Sequence, residues 1–157
     1  MRTDLQWDSY WGSVDTAQVD KYEKMLGYKF PEDYKTIVST YNGAIVDDKN
    51  SYQFYSNLTK KNERYGLGLL HAFGDCDSRA ETMEYCLANK PYGFPNGLVS
   101  FAREGGGDLL CFDYREGLPE DEPKIIIWHL NGEPGTVAES SFLANTFSEF
   151  LDLLFQD

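Results

Sequence analysis

The sequence lacks any apolar run of the roughly 18 residues needed to cross a bilayer, and its N-terminus lacks the basic-then-apolar segment of an export signal. These absences predict a protein that stays in solution in the cytoplasm. Cysteine is scarce. Cys76, Cys86 and Cys111 are odd in number and have none of the close paired spacing of a zinc knuckle, so reduced thiols are expected. The sequon Asn57-Leu58-Thr59 is then expected to carry no glycan. Histidine is scarcer still: His71 and His129 both fall among apolar residues of strand-like runs, where a hydrogen-bonded structural role is expected over that of a general base. Repeats, linkers and low-complexity tracts are absent. The 157 residues therefore read as one domain over 1–157, long enough to bury roughly 70% of the unfolded-chain surface.

Positive charge is the other shortage. There are 26 acidic residues against 14 basic ones, a net charge of −12, and the imbalance is regional. Residues 1–103 hold 14 acids and 12 bases, whereas residues 104–157 hold 12 acids and only Arg115 and Lys124, a difference of −10. A polyanion needs a basic footprint, so direct binding to nucleic acid or to an anionic membrane is disfavoured. A concentrated acidic field would instead draw in a basic partner.

What is present patterns clearly. Asp15 reads as a helix N-cap, with Gln18 three residues on, Val14 and Val19 as a hydrophobic staple, and Gly27 as the left-handed stop. Pro31 fits the first position of a second helix. Glu32 and Asp33 suit its positive end, and Tyr34, Ile37, Val38 and Tyr41 form its apolar stripe. Between residues 45 and 73 the period falls to two, which predicts strands through Tyr52 and Phe54 and through Leu67, Leu69, His71 and Phe73. The basic stretch 58–64 between them reads as a solvated loop. Ser78 with Glu81 predicts the start of a third, short helix that Pro91 ends. Thr146 with Glu149 predicts the cap of a last helix whose face is Phe147, Phe150, Leu151 and Leu154.

Strands are expected over 98–102, 109–114 and 125–130. The stretch between the first two, Arg103-Glu104-Gly105-Gly106-Gly107, has no Gly-Lys-Ser/Thr continuation and is followed by a strand, so it reads as a hairpin turn and not as a phosphate cradle. Hairpin-linked strands between helices at both ends predict an α+β fold with an antiparallel sheet.

Several of these pieces, in order, resemble one family. Leu26-Gly27, Phe30-Pro31-Glu32-Asp33-Tyr34 and Tyr41-Asn42-Gly43 are similar to the opening of the SUKH superfamily, which includes bacterial toxin-immunity proteins and a fungal cell-wall-synthesis regulator of the Smi/Knr type. The stretches 94–102 and 106–113 resemble its central hairpin, Ile127-Trp128-His129 its next strand, and Leu143 to Leu151 its closing helix. Phe30 stands where leucine is more common, and Thr146 where serine is. The resemblance runs over about 14–155. It implies a single α+β domain with flanking helices, and a protein that neutralises a toxin by binding it.

Chemistry has weaker support in the residues. Neither histidine sits in a triad-like motif, and Cys76 lies between Asp75 and Asp77, which oppose a thiolate. Asp75-x-Asp77 and the pair Asp108 and Asp113 lack the further oxygens of a calcium loop, and Asp108 is expected to bond local backbone. No cofactor, metal or catalytic residue is assigned. Binding is favoured by the run Glu116-Gly117-Leu118-Pro119-Glu120-Asp121-Glu122-Pro123, four acids in a loop whose freedom two prolines limit. The expected partner surface is Glu104, Asp108, Glu116, Glu120, Asp121 and Glu122. The expected partner is a cognate basic toxin, a nuclease domain fitting best, met by a monomer or weak dimer. Trp7, Tyr10 and Trp11 are candidate aromatic anchors or core residues. The alternative is a small-molecule or regulatory domain in which the acidic rim only solvates a pocket.

Overall fold

The computed structural model describes residues 2–104 and 106–157; Met1, at the start of the expected domain, and Gly105, in the glycine turn, lie outside the described residues. The helices form where capping and stripe signals coincide. In α1 (Thr16–Leu26), Asp15 accepts a hydrogen bond from the Ala17 amide and Gly27 closes the end at φ 77°. In α2 (Glu32–Thr40), Pro31 occupies the position before the first turn, and Tyr34, Ile37 and Val38 are buried. The last helix, α4 (Phe147–Asp152), is capped by Thr146, whose hydroxyl accepts from the Glu149 amide; Phe147, Phe150 and Leu151 face inward. Glu149 reaches back to the Asn145 amide (3.0 Å) and not to Thr146 itself.

The strands are β1 (Trp7–Ser9), β2 (Ala44–Val46), β3 (Ser51–Ser56), β4 (Lys61–Gly66), β5 (Leu98–Arg103), β6 (Leu109–Asp113), β7 (Lys124–Trp128) and β8 (Ser140–Ala144). They form antiparallel pairs β1-β2 and β3-β4 and a four-stranded antiparallel sheet in the order β5-β6-β7-β8, so the architecture is α+β as expected. Three local expectations are corrected. Residues 67–73 are not a strand; Leu70 and Ala72 make only isolated bridges, to Ala102 and Thr82. Half of the basic stretch is strand β4 and not a loop, held in register against β3 from Ser51↔Gly66 to Ser56↔Lys61. The third helix, α3 (Met83–Ala88), is capped by Thr82, because Arg79–Glu81 forms a separate turn of 3-10 helix after Ser78.

The four-stranded sheet has two apolar faces. Val99, Phe101, Leu110, Phe112, Ile125 and Ile127 join α1, α2 and α4 in the main core, where Tyr34 packs edge-on against Phe112 (4.8 Å) and Phe147 (5.6 Å). Leu98, Leu109, Cys111, Ile126 and Trp128 alternate with them and form a smaller cluster under Phe94. The topology puts the β5–β6 turn at one end of β6 and the β6–β7 loop at the other. Both ends carry acids. No helix among the described residues is long and apolar enough to cross a membrane.

Candidate functional site

The loop after β6 is drawn against the entrance of α2 by three ties. The Lys29 amide donates to Pro119 O (3.1 Å), the Tyr114 hydroxyl donates to Lys29 O (2.7 Å), and the Tyr114 ring stacks on Tyr28 at 4.4 Å. Inside the loop, Gly117 takes φ 85°, a conformation costly for other residues. The Leu118 amide donates to Asp121 Oδ2 (3.0 Å), the Asp121 amide donates to Leu118 O (3.0 Å), and Pro123 is buried where the chain enters β7. The loop is therefore pre-shaped by its own hydrogen bonds.

Docked in this way, Glu120, Asp121 and Glu122 stand across an open cleft of about 490 Å³ from Glu32 and Asp33, over Phe30 and Pro31. Lys29 is the one cation lining the cleft among the described residues, and it lies 3.9 Å from Glu32. Two of the carboxyls are raised, and in one of them the neighbouring acid contributes. Asp33 is pushed above the usual aspartate range by burial, and Glu122 is pushed up by burial first and then by the charge of Asp33. Residues 32–33 and 120–122 thus form one acidic surface. The contribution of Glu32 and Asp33 was hidden in the sequence, because acids in a first helical turn have a sufficient local reason in the helix dipole.

The expected site residues divide. Glu120, Asp121 and Glu122 are exposed on the cleft, and Glu116 is exposed beside it but paired with Lys124 (2.8 Å). Glu104 and Asp108 lie at the opposite end of β6, 7% and 8% exposed, and take no part in the cleft. Glu104 Oε1 accepts from the Tyr52 hydroxyl (2.8 Å), and burial, helped by the charge of Asp108, raises its carboxyl to about 7. Asp108 Oδ1 accepts from the Leu130 amide (3.0 Å), and Oδ2 lies 2.9 Å from His129 Nδ1. Three other acids of the C-terminal third are engaged, Asp113 and Glu139 by Arg115 and Asp157 by Arg64, while Glu133 and Asp152 are exposed away from the cleft. The regional −10 is therefore not a single field. The cleft is where five carboxylates converge. Of the aromatic candidates, Tyr10 is 66% exposed, while Trp7 is half-buried against the core.

Two side-chain chains have catalytic-looking order. Ser141 Oγ lies 2.7 Å from His129 Nε2, and His129 continues to Asp108; His71 Nε2 lies 2.7 Å from Ser100 Oγ, with Cys86 Sγ 3.7 Å from its other nitrogen. Both are closed in. Ser141 is 1% exposed and its oxygen also accepts the Asn57 amide (2.8 Å), while burial first, and then Arg103, pushes His71 down to about 3. The pairing of His129 with Ser141 and Asp108 needed the register of β7 against β8, which no local motif encodes. All three cysteines are free thiols raised above the usual range, each by burial first; at Cys76, Asp75 and Asp77 add to the rise. No group of three or more His, Cys, Asp or Glu among the described residues is placed to hold a metal ion.

The chain matches no curated protein. Residues 13–153, nearly the whole chain, match the SMI1 / KNR4 family (SUKH-1), across the helices, the central hairpin and the closing α4 that carry the ordered pattern. The chain belongs to the SMI1 / KNR4 family (SUKH-1).

Proposed function

We propose that the protein is a bacterial immunity protein that binds and neutralises a cognate toxin with a basic surface, docking it on the acidic cleft. The observation that carries this reading is the convergence of Glu120, Asp121 and Glu122 with Glu32 and Asp33 on one open cleft. Family membership agrees with a protein partner. A basic surface, such as the one a nuclease uses for its polyanion, is complementary in charge; steering of this kind raises association rate and rejects wrong partners. The pre-shaped loop limits the ordering that docking requires. The role is one of occlusion without catalysis, in keeping with the closed surroundings of Ser141 and His71, and its place is the cytoplasm of the cell that makes the toxin.

The test is co-expression with candidate toxin domains, scored by survival, followed by association kinetics with the one neutralised. Reversing Glu120, Asp121 and Glu122 to lysine is expected to slow association at least about tenfold at low salt. Unchanged kinetics would remove this cleft from the docking face.

A further inference from the structure

At the other end of β6, the β3–β4 hairpin leans over the β5–β6 turn and leaves a cavity of about 490 Å³. Leu58 and Tyr65 line its side, Arg64 and Asn131 its rim, and Glu104 and Asp108 contribute carboxyls. Asp108 is fully engaged by Leu130 and His129. Glu104 is not. Its carboxyl has no hydrogen-bond donor other than Tyr52 among the described residues, and Tyr52 reaches only Oε1. Oε2 is not among the buried polar atoms that lack a partner, so in a carboxyl that is 7% exposed and lines the cavity it is the oxygen left for a ligand to meet.

The surroundings say which partner fits. The Tyr65 ring is fixed edge-on to Phe54 (5.0 Å) and Tyr52 (6.4 Å), and its hydroxyl is raised by burial first and then by Asp108, Glu63 and Glu104, which places it in the same negative field. An aromatic wall beside a carboxyl with one oxygen still free to accept suits a positively charged head on an apolar stem. Arg64 at the rim meets Asp157 at 2.9 Å in an exposed pair and makes no hydrogen bond to Glu104. We propose that this cavity is a binding site for one organic cation, an alkylammonium or guanidinium whose head meets Glu104 and whose stem lies along Tyr65 and Leu58. The site is independent of the toxin-docking cleft, from which β6 separates it.

The charged and titratable groups around Glu104 are Tyr52 on β3, Glu63, Arg64 and Tyr65 on β4, Asp108 with His129 behind it, Arg103 just before it at the end of β5, and Glu81 across the neighbouring groove. Of these, Glu104 is the carboxyl raised to about 7. A cation that needs it ionised gains affinity as pH rises.

The test is calorimetric titration of the full chain with n-butylammonium, n-butylguanidinium and the neutral n-butanol. The cations are expected to bind and the alcohol not. Affinity is expected to be about tenfold tighter near pH ~8 than near pH ~6, as Glu104 passes from about one-tenth to nine-tenths ionised. Glu104→Gln keeps the Tyr52 contact and is expected to weaken cation binding at least about tenfold. Tyr65→Leu, as a second variant, is expected to weaken it by about fivefold while leaving butanol unchanged. Cations that fail to bind, an alcohol that binds equally, an affinity indifferent to pH, or a Glu104→Gln variant that binds as well would each overturn the proposal. A blocked lysine peptide distinguishes the source: if it competes, a protein side chain reaches the cavity; if only the free cations enter, the ligand is a small amine or guanidine. Either result upholds the site.

Discussion

The two ends of β6 carry the same kind of side chain and treat it in opposite ways. Before the strand, Glu104 and Asp108 are folded inward and meet Tyr52, Leu130 and His129; after it, Glu120, Asp121 and Glu122 are held outward on a loop tied to Lys29. Strand β6 itself, five residues and about 17 Å long, lies between the two ends. The difference lies in what neighbouring elements bring. Strand β3 presents a hydroxyl and the residue that follows β7 an imidazole to the first pair, whereas α2 brings two further carboxylates to the second group. A negative residue beside donors becomes structure, and one beside its own kind becomes a field for something else to satisfy.

The largest effect is expected where the closed end is broken. Asp108→Ala leaves the Leu130 amide and His129 Nδ1 without their acceptor inside the protein and is expected to cost about 3 kcal/mol, read as a lower denaturant midpoint with an unchanged slope. A loss under about 1 kcal/mol would mean that this end is as tolerant as the other.

Glu104→Gln sharpens the contrast in the opposite direction. A folded-state carboxyl at about 7, above its ordinary 4.5, holds its proton more tightly than the unfolded chain does. The contribution of Glu104 to stability is therefore greatest below about 4.5, falls as pH rises from there to about 7, and stays at its reduced level beyond. The amide cannot ionise. Allowing for the weaker Tyr52 hydrogen bond, the variant is expected to be more stable than the wild type by about 2 kcal/mol near pH ~8 and about equal near pH ~4. Parallel melting profiles across that range would contradict the burial argument.

At the open end the expected effects on stability are smallest. The triple reversal of Glu120, Asp121 and Glu122 to lysine should change folding stability by less than about 1 kcal/mol, most of it from Asp121, whose carboxylate accepts the Leu118 amide. A large loss on thermal melting would show that the loop is structural and not a docking rim.

This division also marks what could be read in the chain. Helices α1, α2 and α4 were legible because cap, stripe and stop lie within a dozen residues of each other, and the β5–β6 hairpin because glycines and flanking apolar runs announce it. Strand β8 went unseen, since Ser140–Ala144 is short and weakly patterned and gains its conformation from pairing with β7. The stretch 67–73 alternates like a strand but meets partners only at Leu70 and Ala72. At the site, the acidity of the loop was visible and its opposition to Glu32 and Asp33 was not, because the Lys29–Pro119 contact joins residues distant in sequence. Glu104 and Asp108 looked like surface acids at a glycine turn. Their burial follows from Tyr52 and His129 arriving from other strands, a fact of register and not of composition.

The central claim is that the open end of β6 is the docking end. It is tested most directly by the association rate of the wild type and of the Glu120, Asp121 and Glu122 reversal with whichever toxin domain co-expression finds to be neutralised, at about 20 mM and about 300 mM salt. The account predicts a wild-type rate that falls steeply with salt, and a variant that is at least about tenfold slower at low salt and nearly indifferent to salt. Equal rates and equal salt dependence for the two proteins would contradict it.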